Sequence, residues 1–250
     1  MEISIAAEKL FSLGSLPVTN ALLIGVLVSA LIIFFVTRVT KSRTLVPRGL
    51  QNVVEIIFEA LLDLVESVTQ DKKQARQFFP LIATIFLFVL LSNWAGLLPG
   101  LGTVGLPHLK DGHATIIPFL RSTSADLNFT LALSLITVFT VQFTGIAALG
   151  IVKYGKKFFI SPFHKPYGIG TAVGILELVS ELGKIISFTF RLFGNVFAGE
   201  VLLTVMLHLV PYFLPLPFMF LEVFVGFIQA VVFAMLTLVF LKMATLEPEH

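Results

Sequence analysis

Cysteine is absent from the 250 residues, and only 13% of them carry charge. The first absence excludes disulfides, thiolate metal sites and thiol nucleophiles. The second sets the chain well below the roughly 25% charged residues of an average soluble domain. With 56% of its residues hydrophobic, the chain reads as an integral membrane protein. Further absences narrow the chemistry. No Gly-Lys phosphate-binding motif occurs, so ATP binding is not expected in this chain. No cysteine stands beside His108 and His113, and neither metal nor cofactor is expected. No internal repeat is present, which removes the paired halves common in secondary transporters. A net charge of +2 gives no reason to expect nucleic acid as a partner.

What is present is a set of apolar runs. Residues 21–37, 78–98, 127–151, 174–207 and 218–242 are long enough to cross a bilayer, which predicts one all-α membrane domain of five crossing helices over residues 1–250. Residues 49–71 differ, because Glu55, Glu59, Asp63 and Glu66 recur every three or four positions among apolar residues. That is an amphipathic helix, and its acidic face favours a cytoplasmic position against protein over contact with anionic headgroups. Residues 100–126, with glycine, proline and balanced charge, read as an outer loop. Basic residues collect at alternate ends of the runs: Arg38, Lys41, Arg43 and Arg48, then Lys72, Lys73 and Arg76, then Lys153, Lys156, Lys157 and Lys165. The positive-inside rule makes those ends cytoplasmic, with the N-terminus outside and the C-terminus, Glu247 to His250, inside. The first twenty residues lack the basic start of a secretory signal and are expected to remain in the mature protein.

The fourth run is the anomaly. It carries Glu177, Glu181, Lys184, Arg191, Asn195 and Glu200, although a charge near the bilayer centre costs roughly 2.5 to 3.5 kcal/mol on insertion scales. A guanidinium keeps its proton at physiological pH, so Arg191 must be matched or wetted. At about 100° per residue, Glu177, Lys184, Ser187, Arg191 and Asn195 share a stripe roughly 80° wide. Glu200 lies on the opposite side of an ideal helix, roughly 13 Å further along the axis. Gly194 and Gly199 permit another backbone to approach.

The last run adds Glu222 and Gln229, seven residues apart on one stripe. The proline-rich turn between the last two runs predicts an antiparallel hairpin that brings Glu200 and Glu222 to similar depth. Two carboxylates brought close cannot both ionise cheaply, which suits a proton relay. Asn93, at the far end of the second run, and Asp126, Asn128 and Thr130, at the outer mouth of the third, are candidates for wetting. Glu177, Glu181 and Lys184 form a second polar region at the inner end, open to a structural reading as helical ion pairs. A fixed cation at Arg191 would repel protons and keep the two regions from joining. Ion traffic then needs a mobile carboxylate on a partner. A stand-alone cation channel or proton-coupled transporter would use the same buried charges without one.

Ile186-Ser187 followed by RLFGN at Arg191 to Asn195 and AGE at Ala198 to Glu200, with Gln229-Ala230 and the closing Leu236 to Leu241, resembles subunit a of the F-type ATP synthase, bacterial type. The likeness extends to SNWAGLLPG at Ser92 to Gly100 and SADLNFT at Ser124 to Thr130, and covers roughly residues 40 to 245. It implies that Arg191 is a stator arginine facing a rotating ring of c subunits. It implies that Asn195 and Glu200 border aqueous half-channels, that Glu177 lines the cytoplasmic exit, and that Gln229 lies opposite Arg191. Protons would enter by Asn93, Asn128, Glu200 and Glu222, with Ser187 and Asp126 beside the path. The last two helices would form a long tilted hairpin around the ring. Implied partners are the c ring, b-type peripheral-stalk subunits, the rest of the complex and membrane lipid, in a bacterial inner membrane, with no catalysis in this chain. Two departures stand out: Glu222 occupies a position where relatives often carry His, and Gly96 one where some carry Asp.

Overall fold

Helix limits in this chain are set by local capping. Asp71 accepts from the Lys73 amide at 2.8 Å and Asp126 from the Asn128 amide at 3.0 Å, each satisfying a backbone donor that a helix start leaves open. A computed structural model describes residues 7–14, 16–41, 49–98, 105–110, 113–118, 121–155, 169–210 and 213–246. In order the elements are β1 (Lys9–Leu13), β2 (Leu16–Thr19), α1 (Asn20–Lys41), α2 (Leu50–Thr69), α3 (Lys72–Ala95), β3 (Gly105–Lys110), β4 (His113–Pro118), a 3-10 turn (Thr123–Ala125), α4 (Leu127–Leu149), α5 (Ile151–Gly155), α6 (Ile169–Leu209) and α7 (Pro215–Thr245). Helices α1, α3, α4, α6 and α7 are long and apolar enough to cross a membrane. The fold is that of an all-α membrane protein with two small hairpins added. The expected basic residues Arg43, Arg48, Lys156, Lys157 and Lys165, the terminal Glu247 to His250, and the side chains of His108 and His113 lie outside the described residues.

Several limits differ from those read off the apolar runs, because capping extends helices past their greasy centres. With Asp71 as its cap, α3 starts at Lys72, ahead of the run at residue 78. Pro215, in the first turn of α7, lacks only an amide that would have no partner there. Residues 100–126, expected as an outer loop, hold regular structure of their own. β3 and β4 pair antiparallel from Gly105↔Pro118 to Lys110↔His113, around an Asp-Gly dipeptide that is itself a hairpin signal. Arg121 to Asp126 are buried. They are wedged among helix ends, with the Ser122 hydroxyl donating to the Ser92 carbonyl at 3.2 Å and Thr123 to that of Ala21 at 3.2 Å.

This hairpin end of the bundle gathers the starts of α1, α4 and α7 and the ends of α3 and α6. At the opposite end α2 closes the bundle. Lys242 donates to the Thr69 carbonyl and Gln74 to the Thr245 hydroxyl at 2.8 Å. Helix α2 divides into three faces: Val65 and Thr69 are buried, Glu59 and Asp63 are exposed, and Val53, Ile56 and Leu64 form a separate exposed apolar stripe.

Between the ends, α3 packs on α7, α4 on α6, and α6 on α7. Ile82, Val89, Leu192, Phe233, Leu238 and Leu241 fill the centre, and Phe188 sets its ring against Phe233 at 4.7 Å and Phe240 at 5.7 Å. Lipid tails are as apolar as leucine, so close packing and polar cross-links hold such helices together. The Ser134 and Thr189 hydroxyls, 2.6 Å apart, join α4 to α6, and the Trp94 indole donates to the Val223 carbonyl at 3.0 Å.

Gly199 lies tightest, against the Glu222 carboxyl, and two other glycines also leave no room for a side chain. A methyl group on Gly96 would stand 2.5 Å from the Ser122 Cβ, and one on Gly145 would stand 2.3 Å from the Tyr154 ring and 3.0 Å from the Ala244 carbonyl oxygen. Gly183 meets nothing within 4 Å. Gly96→Ala and Gly145→Ala should each destabilise the protein by about 1 to 3 kcal/mol through overpacking, whereas Gly183→Ala should not destabilise it. Thermal unfolding in detergent checks this; an unchanged midpoint for both tight positions would contradict the packing described.

Candidate functional site

The polar side chains of α6 and α7 meet in antiparallel order. As Lys184, Phe188, Asn195 and Gly199 advance along α6, the residues they touch on α7, Phe240, Phe233, Gln229 and Glu222, step backwards. The expected hairpin therefore brings three polar levels into one seam.

The middle level holds Arg191. Its Nη2 donates to the Ser187 hydroxyl at 3.1 Å, one turn back on the same helix. Among the described residues, no carboxylate lies within ion-pair distance of the guanidinium. Its neighbours Ile186 and Phe190 are exposed, so this face of α6 is not covered by the chain itself. One turn toward the hairpin end, Asn195 Nδ2 donates to Gln229 Oε1 at 2.6 Å. Gln229 is thus bonded to Asn195, not to Arg191, and its buried Nε2 has no partner. A cleft of about 330 Å³ runs from Arg191 past Ser187 and Lys184 to Ser180, walled by Leu236 and Phe240 of α7.

That cleft opens toward the second level, near the α2 end. Lys184 pairs with Glu181 at 2.6 Å and sits 4.7 Å from the centre of the Phe240 ring. Glu177 is half-buried one turn further along. Tyr154, on α5, passes its ring across Gly145 and donates its hydroxyl to Gln142 of α4. Burial, with the charges of Glu181 and Glu177 adding to it, pushes the Tyr154 phenol up to about 12. The helical-pair reading thus holds for Glu181 and Lys184, but both belong to a larger cluster. Nothing in the sequence order of Gln142, Tyr154 and Glu177 links them; only the substituent-free Gly145 hints at a ring seated on it.

The third level lies at the hairpin end. The Arg121 guanidinium grips both oxygens of Glu200: Nε donates to Oε1 at 3.0 Å and to Oε2 at 3.2 Å, and Nη2 to Oε2 at 3.0 Å. Arg121 is only 7% exposed and Glu200 35%. This pairing was missed because the two residues lie 79 positions apart and Arg121 reads as loop charge. Its one signal is its place beside the Ser124 to Thr130 stretch. Glu222 is buried, and its carboxyl occupies the space a side chain on Gly199 would take, 2.1 Å from such a Cβ. Gly199 therefore admits a side chain, not the expected backbone, and Gly194 meets nothing within 4 Å. Asn93 Nδ2 donates to the Gly226 carbonyl at 3.1 Å, while Asn93 Oδ1 and the Ser92 and Ser124 hydroxyls are buried without partners. Asp126 is buried as the cap of α4, and Asn128, bonded to it at 3.3 Å, is exposed. Thr130 is buried and bonds the carbonyls of Asp126 and Leu127.

The chain is similar to proteins of one known family. The profile of the family described as ATP synthase A chain matches residues 21–242. ATP synthase subunit a of Campylobacter jejuni is 35% identical over 228 residues, covering 89% of this chain and 88% of that protein. Subunit a of Campylobacter hominis is 36% identical over 225 residues, 90% and 88% of the two chains. Subunit a of Moorella thermoacetica is 31% identical over 234 residues, 93% and 94%.

The inner cluster yields a direct test. The Tyr154 phenol rises from 10.0 to about 12, so its contribution to stability is full below pH 10 and is lost as pH climbs through about 12. Tyr154→Phe should remove the last of the phenolate transitions in an ultraviolet titration and cost about 1 kcal/mol through the lost hydrogen bond. An unchanged titration curve would contradict the buried, acid-flanked position.

Proposed function

The chain belongs to the ATP synthase A chain family, the proton-channel subunit of the enzyme's membrane sector, and from that premise we propose that it is the stator against which a ring of c subunits turns. The observation that carries the reading is Arg191. A permanent cation at mid-helix, bonded among the described residues to a single side-chain hydroxyl and with an uncovered apolar face around it, calls for an anion from outside the chain. A carboxylate on each ring subunit supplies one. As a protonated site arrives, the guanidinium favours its ionised form, so the proton leaves before the site can pass.

On this reading protons enter from the outer side at the hairpin end, by Asn128, Asp126, Asn93, Glu200 and Glu222. The unpartnered polar atoms of Ser92, Asn93, Ser124 and Gln229 support a wetted path there, because buried polar groups need hydrogen-bond partners. Protons leave through the cleft below Arg191, past Ser187 and Ser180 to Glu177, on the cytoplasmic side. Asn195 and Gln229, bonded to each other, separate the inlet from Arg191. The N-terminus lies outside and the C-terminus inside, with α2 along the cytoplasmic boundary, its apolar stripe toward lipid and its acids toward water. Each charge that crosses is worth about 2.3 kcal/mol per 100 mV. Summed over the ring, that work drives ATP chemistry in other subunits, to which this chain is held by b-type stalk subunits.

Arg191→Ala should abolish ATP-driven proton pumping by the assembled complex in membrane vesicles while the ring subunits still co-purify with the chain. Normal pumping by that variant would refute the stator role, and conduction by the purified chain alone would favour a free-standing channel.

A further inference from the structure

The proposed inlet contains two carboxylates, and the structure treats them differently. Glu200 faces Arg121, which holds both its oxygens at 3.0 to 3.2 Å. Among the described residues no cation pairs with Glu222; it is 9% exposed and seated against the bare backbone of Gly199. Among the described residues, the charged or titratable groups of the helical bundle at this end are Arg121 before the 3-10 turn, Asp126 at the start of α4, Glu200 and His208 on α6, and Glu222 on α7. Asp126 is engaged as a helix cap, and His208 turns its Nδ1 to the Thr204 carbonyl at 2.9 Å, away from both carboxylates. From α3 the facing groups, Asn93 and Trp94, are uncharged and bond the α7 backbone.

Resting on the stator reading above, we infer that Arg121 is a positioning residue of the inlet: it clamps Glu200 as a fixed ion pair, leaving Glu222 as the carboxylate that exchanges protons. The segment that carries Arg121 is built to hold it. Ser122 is pressed against Gly96 with no room for a side chain there, and Ser122 and Thr123 are bonded to the backbones of α3 and α1. A guanidinium on so anchored a segment does not follow Glu200 if that side chain swings toward Glu222. Glu222 takes a proton from the outer water, and releases it along the α6–α7 seam toward Asn195 and Gln229. The pair at Glu200 is electrically neutral, so it puts no net charge across the path.

The pair's neutrality is what the test exploits. Glu200→Gln removes the carboxylate that Arg121 grips, and so adds one positive charge beside the inlet, and Arg121→Gln frees a second carboxylate to trap protons next to Glu222. Each single variant should lower proton flux about ten-fold per assembled complex, by the electrostatics of a charged path. The double variant Arg121→Gln with Glu200→Gln removes both charges and should recover flux to within about three-fold of the parent, a strongly non-additive result. Arg121→Lys should retain more flux than Arg121→Gln, and Glu222→Gln should lose about 100-fold, as expected for removal of a proton-transfer group. Flux is read in vesicles and normalised to the co-purified ring, so that an assembly defect does not count as a conduction defect. A double variant as inactive as Glu200→Gln alone, or full flux in Glu222→Gln, would overturn the division of roles. Neither outcome touches the stator reading, which stands or falls on Arg191.

Discussion

A guanidinium in the middle of an apolar helix fixes what the surrounding protein has to do. It cannot discharge, it is expensive to leave in lipid, and among the described residues its one side-chain partner is the Ser187 hydroxyl. The acids of α6 are kept from it. Glu181 is held by Lys184 on the α2 side, and Glu200 by Arg121 on the hairpin side. Those two pairs stand on either side of Arg191 along α6. The positive charge is left to face outward on the uncovered side of α6.

The rest of the bundle positions those pairs. Helix α7 lies antiparallel along α6, with Phe233 and Phe240 fitted around Phe188, and it brings Gln229 to Asn195 and Glu222 to Gly199. Helix α3 is tied to α7 by Asn93 and Trp94 near one end and by Gln74 at the other. The buried segment at Arg121 to Asp126 then joins α1, α3, α4 and α6 at the level of the proposed inlet. The proposed stator role requires resistance to torque, and these cross-links along α7 tie the seam to α3.

Much of this was legible in the sequence, for physical reasons. Apolar runs declare membrane helices by length alone, the acid spacing of residues 55 to 66 declares an amphipathic helix, and an Arg amid apolar residues declares a function. The α6–α7 hairpin followed from the proline-rich turn. What escaped were interactions whose partners are remote along the chain and whose local sequence looks ordinary. Arg121 reads as loop charge until the fold sets it on Glu200. Tyr154 carries no signal of its own until Gly145 proves to be the floor beneath its ring. The alignment of Gln229 with Asn195 depends on the register between two helices, which periodicity on either one does not determine.

The central claim is that two aqueous inlets end on opposite sides of Arg191 and do not connect. Because the chain has no cysteine, single substitutions can report water access from each side of the membrane. In the assembled complex, Ser180→Cys, in the cleft below Arg191, should react with a membrane-impermeant thiol reagent only from the cytoplasmic side, and Thr204→Cys, beyond Glu200, only from the opposite side. Labelling of either position from both sides, with Arg191 in place, would contradict the account.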